Sequence, residues 1–314
     1  MWIVKAKTDN DLKKRSDTMQ DSKGLYSRCF SDYRLSDEEL NQLQKVLLEI
    51  LVDIKSVCEK YQINYMLSAG TALGAVRHKG FIPWDDDVDI MMLRSEFSKF
   101  KSVFGEELSD RYELVEPLSN PHCFSKMVKI YKKGTTFVEI PTAGVHGPDM
   151  IFVDLFILEN LPKPGLKRKI KEIAYNVAFR ASSVCLDYQY PSPPILQKSK
   201  VDRELRQYYS FRRFCGFLFS LFGSIQFYLK ICESLAKSSE ETDWVSMPSD
   251  TGYLGRVYPR RLFTSFTDAE FCGYMMKIPE DYDAYLSIDY GDYMQIPPPE
   301  KREVHSAYKI SFSE

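Results

Sequence analysis

Several absences narrow the function of this chain before any motif is read. Its 42 Lys and Arg stand against 44 Asp and Glu, a net charge of −2, so the basic excess of a general nucleic-acid binder is missing. The seven cysteines (Cys29, Cys58, Cys123, Cys185, Cys215, Cys232 and Cys272) are odd in number, scattered, and include no C-x-x-C pair. They offer neither a disulfide framework nor a zinc site and suit reduced thiols. No repeat or low-complexity tract stands out. The opening "MWIVKAKTDNDLKKRSD" is too polar for a secretory signal, so a cytoplasmic protein is expected. A long apolar run is missing too: the uncharged stretch Phe214 to Leu229 has 16 residues, short of the roughly 20 that span a bilayer. It is read as a buried core helix. The alternative is an interfacial helix flanked by Arg212, Arg213 and Lys230, giving peripheral contact at the inner face of the membrane.

What remains describes an ordinary folded protein: 314 residues, 44% apolar and 27% charged, enough for one large domain or two smaller ones. The 14% aromatic share, with 20 Tyr, hints at an aromatic-lined ligand site. Four regions are expected. Residues 1–35 form a polar N-terminal extension, loosely packed or peripheral. Residues 36–160 form a compact catalytic core. It opens with a helix that Ser36 and Glu39 close as a capping box, followed by apolar residues at three- and four-residue steps. "NYMLSAG" then reads as a strand ending at Gly70, "TALGAVRHKG" as a short helix, "VDIMML" as a strand and "SEFSKFKSVFGEEL" as a helix. "KMVKIYKK" and "TTFVEI" read as a hairpin joined through Gly134, and "MIFVDLFIL" as a central strand. Residues 161–245 are mainly helical, interrupted by "YPSPP", and residues 246–314 form a segment packing on the active site. The fold class is α+β.

The segment "GFIPWDDDVDIMM" carries Asp85, Asp86, Asp87 and Asp89 within five residues. Carboxylates that close repel one another and need a cation or donor. On a strand, Asp87 and Asp89 share a face about 6–7 Å apart, half of a hard-cation site suited to Mg²⁺ or Mn²⁺. Asp154 is the only charge in "MIFVDLFIL" and supplies a third carboxylate from a neighbouring strand. An EF-hand is excluded, because Ile90 stands where the tight turn needs glycine. Upstream, Gly70 and Thr71 sit at a strand-helix junction, where backbone N–H groups and the helix dipole favour a phosphate.

A Gly-Thr turn, a D-x-D strand and a later acidic residue together resemble the polymerase-β-type nucleotidyltransferase superfamily. More closely, "GTALGAVRHKGFIPWDDDVDIMM", "KIYKKGTTFVEI", "MIFVDLFIL" and "IPEDYDAYLSIDYGDYMQIPPPEKREVH" resemble the LicD family of phosphotransferases, related to the fukutin-related proteins. The motifs span about residues 65–305. The resemblance implies a nucleotidyltransferase core of mixed sheet and flanking helices, with a helical insertion and a C-terminal extension. It also implies metal-dependent transfer of a phospho-alcohol, most often phosphocholine from CDP-choline, to a glycan or lipid-linked glycan hydroxyl, with release of CMP. At its end the chain has the single His305 in "REVHS", where family members often carry paired histidines.

On that reading Asp87, Asp89 and Asp154 are the catalytic and metal-holding carboxylates, with Asp154 also placed to accept the acceptor proton. Gly70 and Thr71 contact phosphate, Arg77 or Lys79 screens the leaving nucleotide, and Lys129 and Arg302 meet phosphate. Trp84 stacks on a base or cages a quaternary ammonium. Two competing readings are a nucleotide-sugar glycosyltransferase, whose D-x-D also holds a metal, and a non-catalytic glycan-binding scaffold. The Gly-Thr turn and Asp154 weigh against the first and the full carboxylate set against the second.

Overall fold

The computed structural model describes residues 24–119, 124–238, 240–251, 256–299, 302 and 306–313. Helix α1 (Asp37–Lys60) starts where the sequence says it should. The Ser36 hydroxyl accepts from the Glu39 N–H, and the Glu39 carboxylate accepts from the Ser36 N–H. Its periodic apolar positions, Leu43, Leu47, Ile50, Ile54 and Val57 among them, are buried on one face in the main core.

The central sheet runs β1-β2-β6-β4-β3, with β7 (Trp244–Ser246) on the far end of β6 and β8 (Val257–Pro259) on β7. Strands β2 (Asp89–Leu93) and β6 (Phe152–Asn160) are parallel; β1 (Met66–Leu67), β3 (Tyr112–Val115) and β4 (Val128–Lys132) pair antiparallel with their neighbours. Helices α2 (Ala69–His78) and α3 (Arg94–Glu107) flank β2 in sequence. Strand β6 has partners on both edges and buried side chains on both faces, which explains its nearly continuous apolar run. The chain is thus α+β, as expected.

Three local expectations need correction. The strand read in "NYMLSAG" is only two residues long and helix α2 begins at Ala69, so Gly70 and Thr71 lie in its first turn. The hairpin through Gly134 does not form. Strand β4 has both edges taken by β3 and β6, so β5 (Thr136–Glu139) pairs instead with β11 (Ala307–Ser311). Strand β3, in "RYELVE", was not anticipated. And Asp87 precedes β2 rather than lying on it, although the bond from the Asp154 N–H to the Val88 carbonyl extends the parallel ladder to its neighbour.

Residues 161–245 are mainly helical: α4 (Leu166–Gln189), α5 (Pro193–Lys198), α6 (Arg203–Ser220) and α7 (Ile225–Ala236). The apolar run 214–229 is not one buried helix. It breaks at Gly223, a poor helix former, where the Ser224 hydroxyl accepts the Phe227 N–H and starts α7 at 81° to α6. Around this elbow Phe214, Phe217, Leu218, Leu221, Phe222 and Phe227 are exposed, which overturns the core-helix reading. Arg212, read as a flanking charge, is tied to Asp187 at 2.6 Å. Among the described residues no single helix is long and apolar enough to cross a membrane.

The two ends of the chain are also packed. Leu25, Cys29 and Phe30 bury against Ile140, Ile195, Leu205 and Tyr209, so this part of the N-terminal extension is docked rather than loose. Past β8 come a hairpin of β9 (Phe266–Phe271) and β10 (Tyr274–Pro279), then α8 (Tyr282–Tyr290). Phe271, Met276, Ile278, Tyr285 and Leu286 of this region share the main core with α1 and the sheet.

Candidate active site

The register of the sheet assembles the site. Asp89 and Asp154 are direct partners on the parallel strands β2 and β6, and Lys129 is the partner of Asp154 on β4. Directly paired residues point to the same face of a sheet. Three ionisable side chains therefore stand in a row across three strands. Lys129 is buried, with Nζ 3.3 Å from Asp154 Oδ1, 3.5 Å from Glu139 Oε2 and 3.2 Å from the centroid of the Phe152 ring. Burial alone pushes its ammonium down, but the Asp154 and Glu139 carboxylates together outweigh burial and hold its pKa above the ordinary lysine value.

Beside this row opens a small, solvent-open pocket walled by Asp86, Asp87, Glu139 and Asp154 and by Leu43, Leu47 and Phe152. Asp87 and Asp154 were anticipated here. Glu139 was not, although an acidic residue ending the "TTFVEI" strand was a usable signal. Asp86 is buried and lines the same pocket as Asp87.

The acidic loop is held from outside through its backbone. Gln44 Nε2 of α1 donates to the Asp85 carbonyl at 2.9 Å, and the Asp89 N–H donates to Thr71 Oγ1 at 2.8 Å. Thr71 is buried, so this bond fixes the start of β2. A Cβ at Gly70 would lie 2.9 Å from Asp85 Oδ2, so a side chain there would displace that carboxylate from the first turn of α2. The helix end expected to meet a phosphate thus has a carboxylate of the chain beside it. The Tyr285 hydroxyl, within 3.2 Å of Ser68 Oγ, accepts the Ala69 N–H at 2.9 Å and anchors this junction to α8. Ala69 itself has φ of 43°, an uncommon conformation for a residue with a side chain.

The remaining candidates have other attachments. Arg77 Nη1 donates to the carbonyls of Tyr293, at 2.6 Å, and Gln295, at 3.3 Å, so its guanidinium holds the C-terminal segment. Lys79 is exposed and lies 3.8 Å from Glu270 Oε2, a surface ion pair away from the pocket. Arg302 lies over Trp84, 4.0 Å from the ring centroid, so one face of the indole carries a cation from the chain itself. His305 lies outside the described residues.

An oxygen-only donor set with two in-register carboxylates is the chemistry a hard divalent cation takes. Among the described residues, no three Asp, Glu, His or Cys side chains converge closely enough to enclose a metal ion. Lys129 stands between Asp154 and Glu139 and supplies positive charge there.

Residues 62–157 match the family described as LicD/FKTN/FKRP, nucleotidyltransferase domain. This span contains Gly70, Thr71, the acidic loop, Lys129 and Asp154. The lipopolysaccharide cholinephosphotransferase LicD of Haemophilus influenzae is 30% identical over 276 residues, covering 85% of this chain and 95% of that protein. Uncharacterized proteins of Rickettsia typhi and Rickettsia prowazekii are 35% and 37% identical over 74 and 68 residues, about a quarter or less of each chain. A likeness that runs nearly end to end in the first of these relatives, over a core matched by the family, settles the kinship: the chain belongs to the LicD family of phosphotransferases.

Proposed function

We propose that this phosphotransferase moves phosphocholine from CDP-choline to a hydroxyl of a lipopolysaccharide or related cell-surface glycan precursor, releasing CMP, on a nucleotidyltransferase-type core. The observation that carries the reading is the in-register row Asp89, Asp154 and Lys129, whose central member Asp154 lines a carboxylate-walled pocket. The near full-length likeness to a lipopolysaccharide cholinephosphotransferase supports the donor and acceptor classes.

Phosphoryl transfer demands positioning and neutralisation of developing charge more than covalent chemistry from the protein. Asp89 and Asp154, paired across β2 and β6, and Asp87 just before β2 would supply oxygen ligands to Mg²⁺ or Mn²⁺ once their side chains close on the ion, which when bound neutralises the diphosphate of the donor. Thr71 fixes the backbone of Asp89, the residue that carries this carboxylate. Lys129 sets a positive charge 3.3 Å from Asp154, the carboxylate that would accept the acceptor's hydroxyl proton. Arg302 and Trp84 form a cationic and aromatic wall for the donor.

The test is a donor panel: purified protein with Mg²⁺, a lipopolysaccharide acceptor, and CDP-choline, CDP-glycerol, CDP-ribitol or a UDP-sugar, followed by CMP or UDP release. Acceptor-dependent CMP release from CDP-choline that stops on chelation is expected. Turnover of the UDP-sugar alone would overturn the assignment.

A further inference from the structure

We propose that the helical layer of α4, α6 and α7 docks on an anionic lipid bilayer, through an apolar stripe on α4 and the phenylalanine-rich elbow between α6 and α7. The stripe is Leu166, Ile170, Ile173 and Val177, exposed by 74%, 57%, 64% and 50%. Steps of four, three and four residues keep these side chains on one face of the helix. The opposite side of α4 is satisfied: Tyr175, Ala178, Ala181 and Cys185 are buried in a cluster with Ile225, Leu229 and Cys232 of α7. Helix α4 is therefore apolar on two sides, only one of which the protein covers.

The elbow repeats the pattern. Phe222 is 81% exposed and Leu221 66%, with Phe211, Phe214 and Phe227 exposed beside them. The two helices that this elbow joins pack on α4, α6 through Phe217 on Tyr188 and the Gly216 carbonyl on Cys185 Sγ, and α7 through Ile225, Leu229 and Cys232. Uncovered apolar surface on this scale marks an interaction site.

Charge selects the occupant. Lys163, Lys167 and Lys169, all exposed, flank the start of the stripe, and Glu172 is the one acidic residue between Lys163 and Arg180. A second copy of the chain would set cation against cation along this seam, which is destabilising. A bilayer with anionic headgroups accepts the apolar face and the flanking cations together, the pattern of an interfacial helix lying in the membrane plane. The surface lies outside the acidic pocket and is independent of which donor that pocket takes.

The full chain is sedimented with vesicles of phosphatidylcholine alone and of phosphatidylcholine mixed with phosphatidylglycerol, at low and high salt. Binding is expected to the mixed vesicles only and to weaken as salt screens the headgroups. Replacing one exposed cation, as in Lys167→Gln, is expected to weaken binding by about fivefold. Ile170→Glu combined with Ile173→Glu should abolish it, as Phe222→Ser should reduce it, with circular dichroism checking that each variant is folded. Absence of pelleting with mixed vesicles at low salt overturns the proposal, as does binding that survives both the double change and Phe222→Ser. A dimer in light scattering that the double change dissociates would assign the stripe to a second copy and likewise overturn it.

Discussion

Lys129→Met probes the centre of the site, because one ammonium serves two carboxylates there. Its Nζ lies 3.3 Å from Asp154 Oδ1 and 3.5 Å from Glu139 Oε2. At 3.3 Å and an effective dielectric constant of about 20, one such pair is worth about 5 kcal/mol before desolvation. Desolvation offsets part of this, and Glu139, more than a third exposed, adds little. Removing one partner of a buried pair costs about 3–5 kcal/mol, and the pocket beside Asp154 places the loss at the lower end, about 3 kcal/mol. Methionine keeps most of the aliphatic stem, so packing against Phe152 is largely retained.

The pH dependence has a definite sign. In the wild type, the raised Lys129 contributes stability in full below its unfolded value, near 10.4, and loses it only as pH climbs through the folded value. The variant lacks the ammonium at every pH, so the gap between wild type and variant is expected in full at about pH 8 and to narrow only as pH climbs beyond about 10.4. Urea unfolding at about pH 8 measures the gap, and a series above about pH 10.4 measures its narrowing. A gap below about 1 kcal/mol at about pH 8 would equal that of a surface pair and refute the reasoning from burial.

Three further outcomes test the site. Asp87→Asn or Asp89→Asn should lower CMP release more than tenfold, a barrier increase above about 1.4 kcal/mol, while the melting temperature holds or rises as carboxylate repulsion is relieved; residual turnover above about a tenth would remove that residue from the chemistry. Asp154→Asn should reduce turnover more than Lys129→Met does, and the reverse order in kcat would place Asp154 outside the reaction. Thr71→Val strands the buried Asp89 N–H, at a cost of about 1–3 kcal/mol in urea unfolding, and should lower kcat as well; Thr71→Ser, which keeps the hydroxyl, should restore both.

The parts of the fold legible from sequence were those with a local signature. The capping box at Ser36 and Glu39 and the periodic apolar face of α1 need no tertiary information, and an apolar strand carrying one Asp announces a central position. The pairing partners were not legible. Strands β4 and β5 are separated by a few residues and look like a hairpin, yet β4 has both edges occupied and β5 takes its partner from residues 307–311. Nothing local encodes a contact across that much chain. The elbow failed for another reason. Composition showed an uncharged run, and burial is the ordinary destination of such a run, but exposure depends on what packs against it. At the site, the acids were legible as a cluster, whereas Thr71 as an anchor and Arg77 as a clamp depend on distances that only the folded chain supplies.

A loop with four aspartates in five residues opposes its own compaction, and the structure shows how that tendency is contained. The Ile82 carbonyl accepts the Asp85 N–H, Gln44 donates to the Asp85 carbonyl, Thr71 accepts the Asp89 N–H, and the Val88 carbonyl accepts the Asp154 N–H. Each of these bonds goes to the loop's backbone rather than to its carboxylates, so the loop's course is fixed while its charge remains directed by the side chains. The C-terminal region supplies the next layer of restraint. Tyr285 holds the Ser68–Ala69 junction, Tyr293 and Gln295 take the guanidinium of Arg77, Arg302 lies on Trp84, and β11 covers the edge of the strand bearing Glu139. Residues more than 200 positions away thus brace the acidic loop on both sides. That bracing gives a physical reason for the acidic loop in the first half of the chain to share one hydrophobic core with the chain's last third. A charge-dense site holds a constant geometry only when neutral bonds from outside the cluster oppose the repulsion within it.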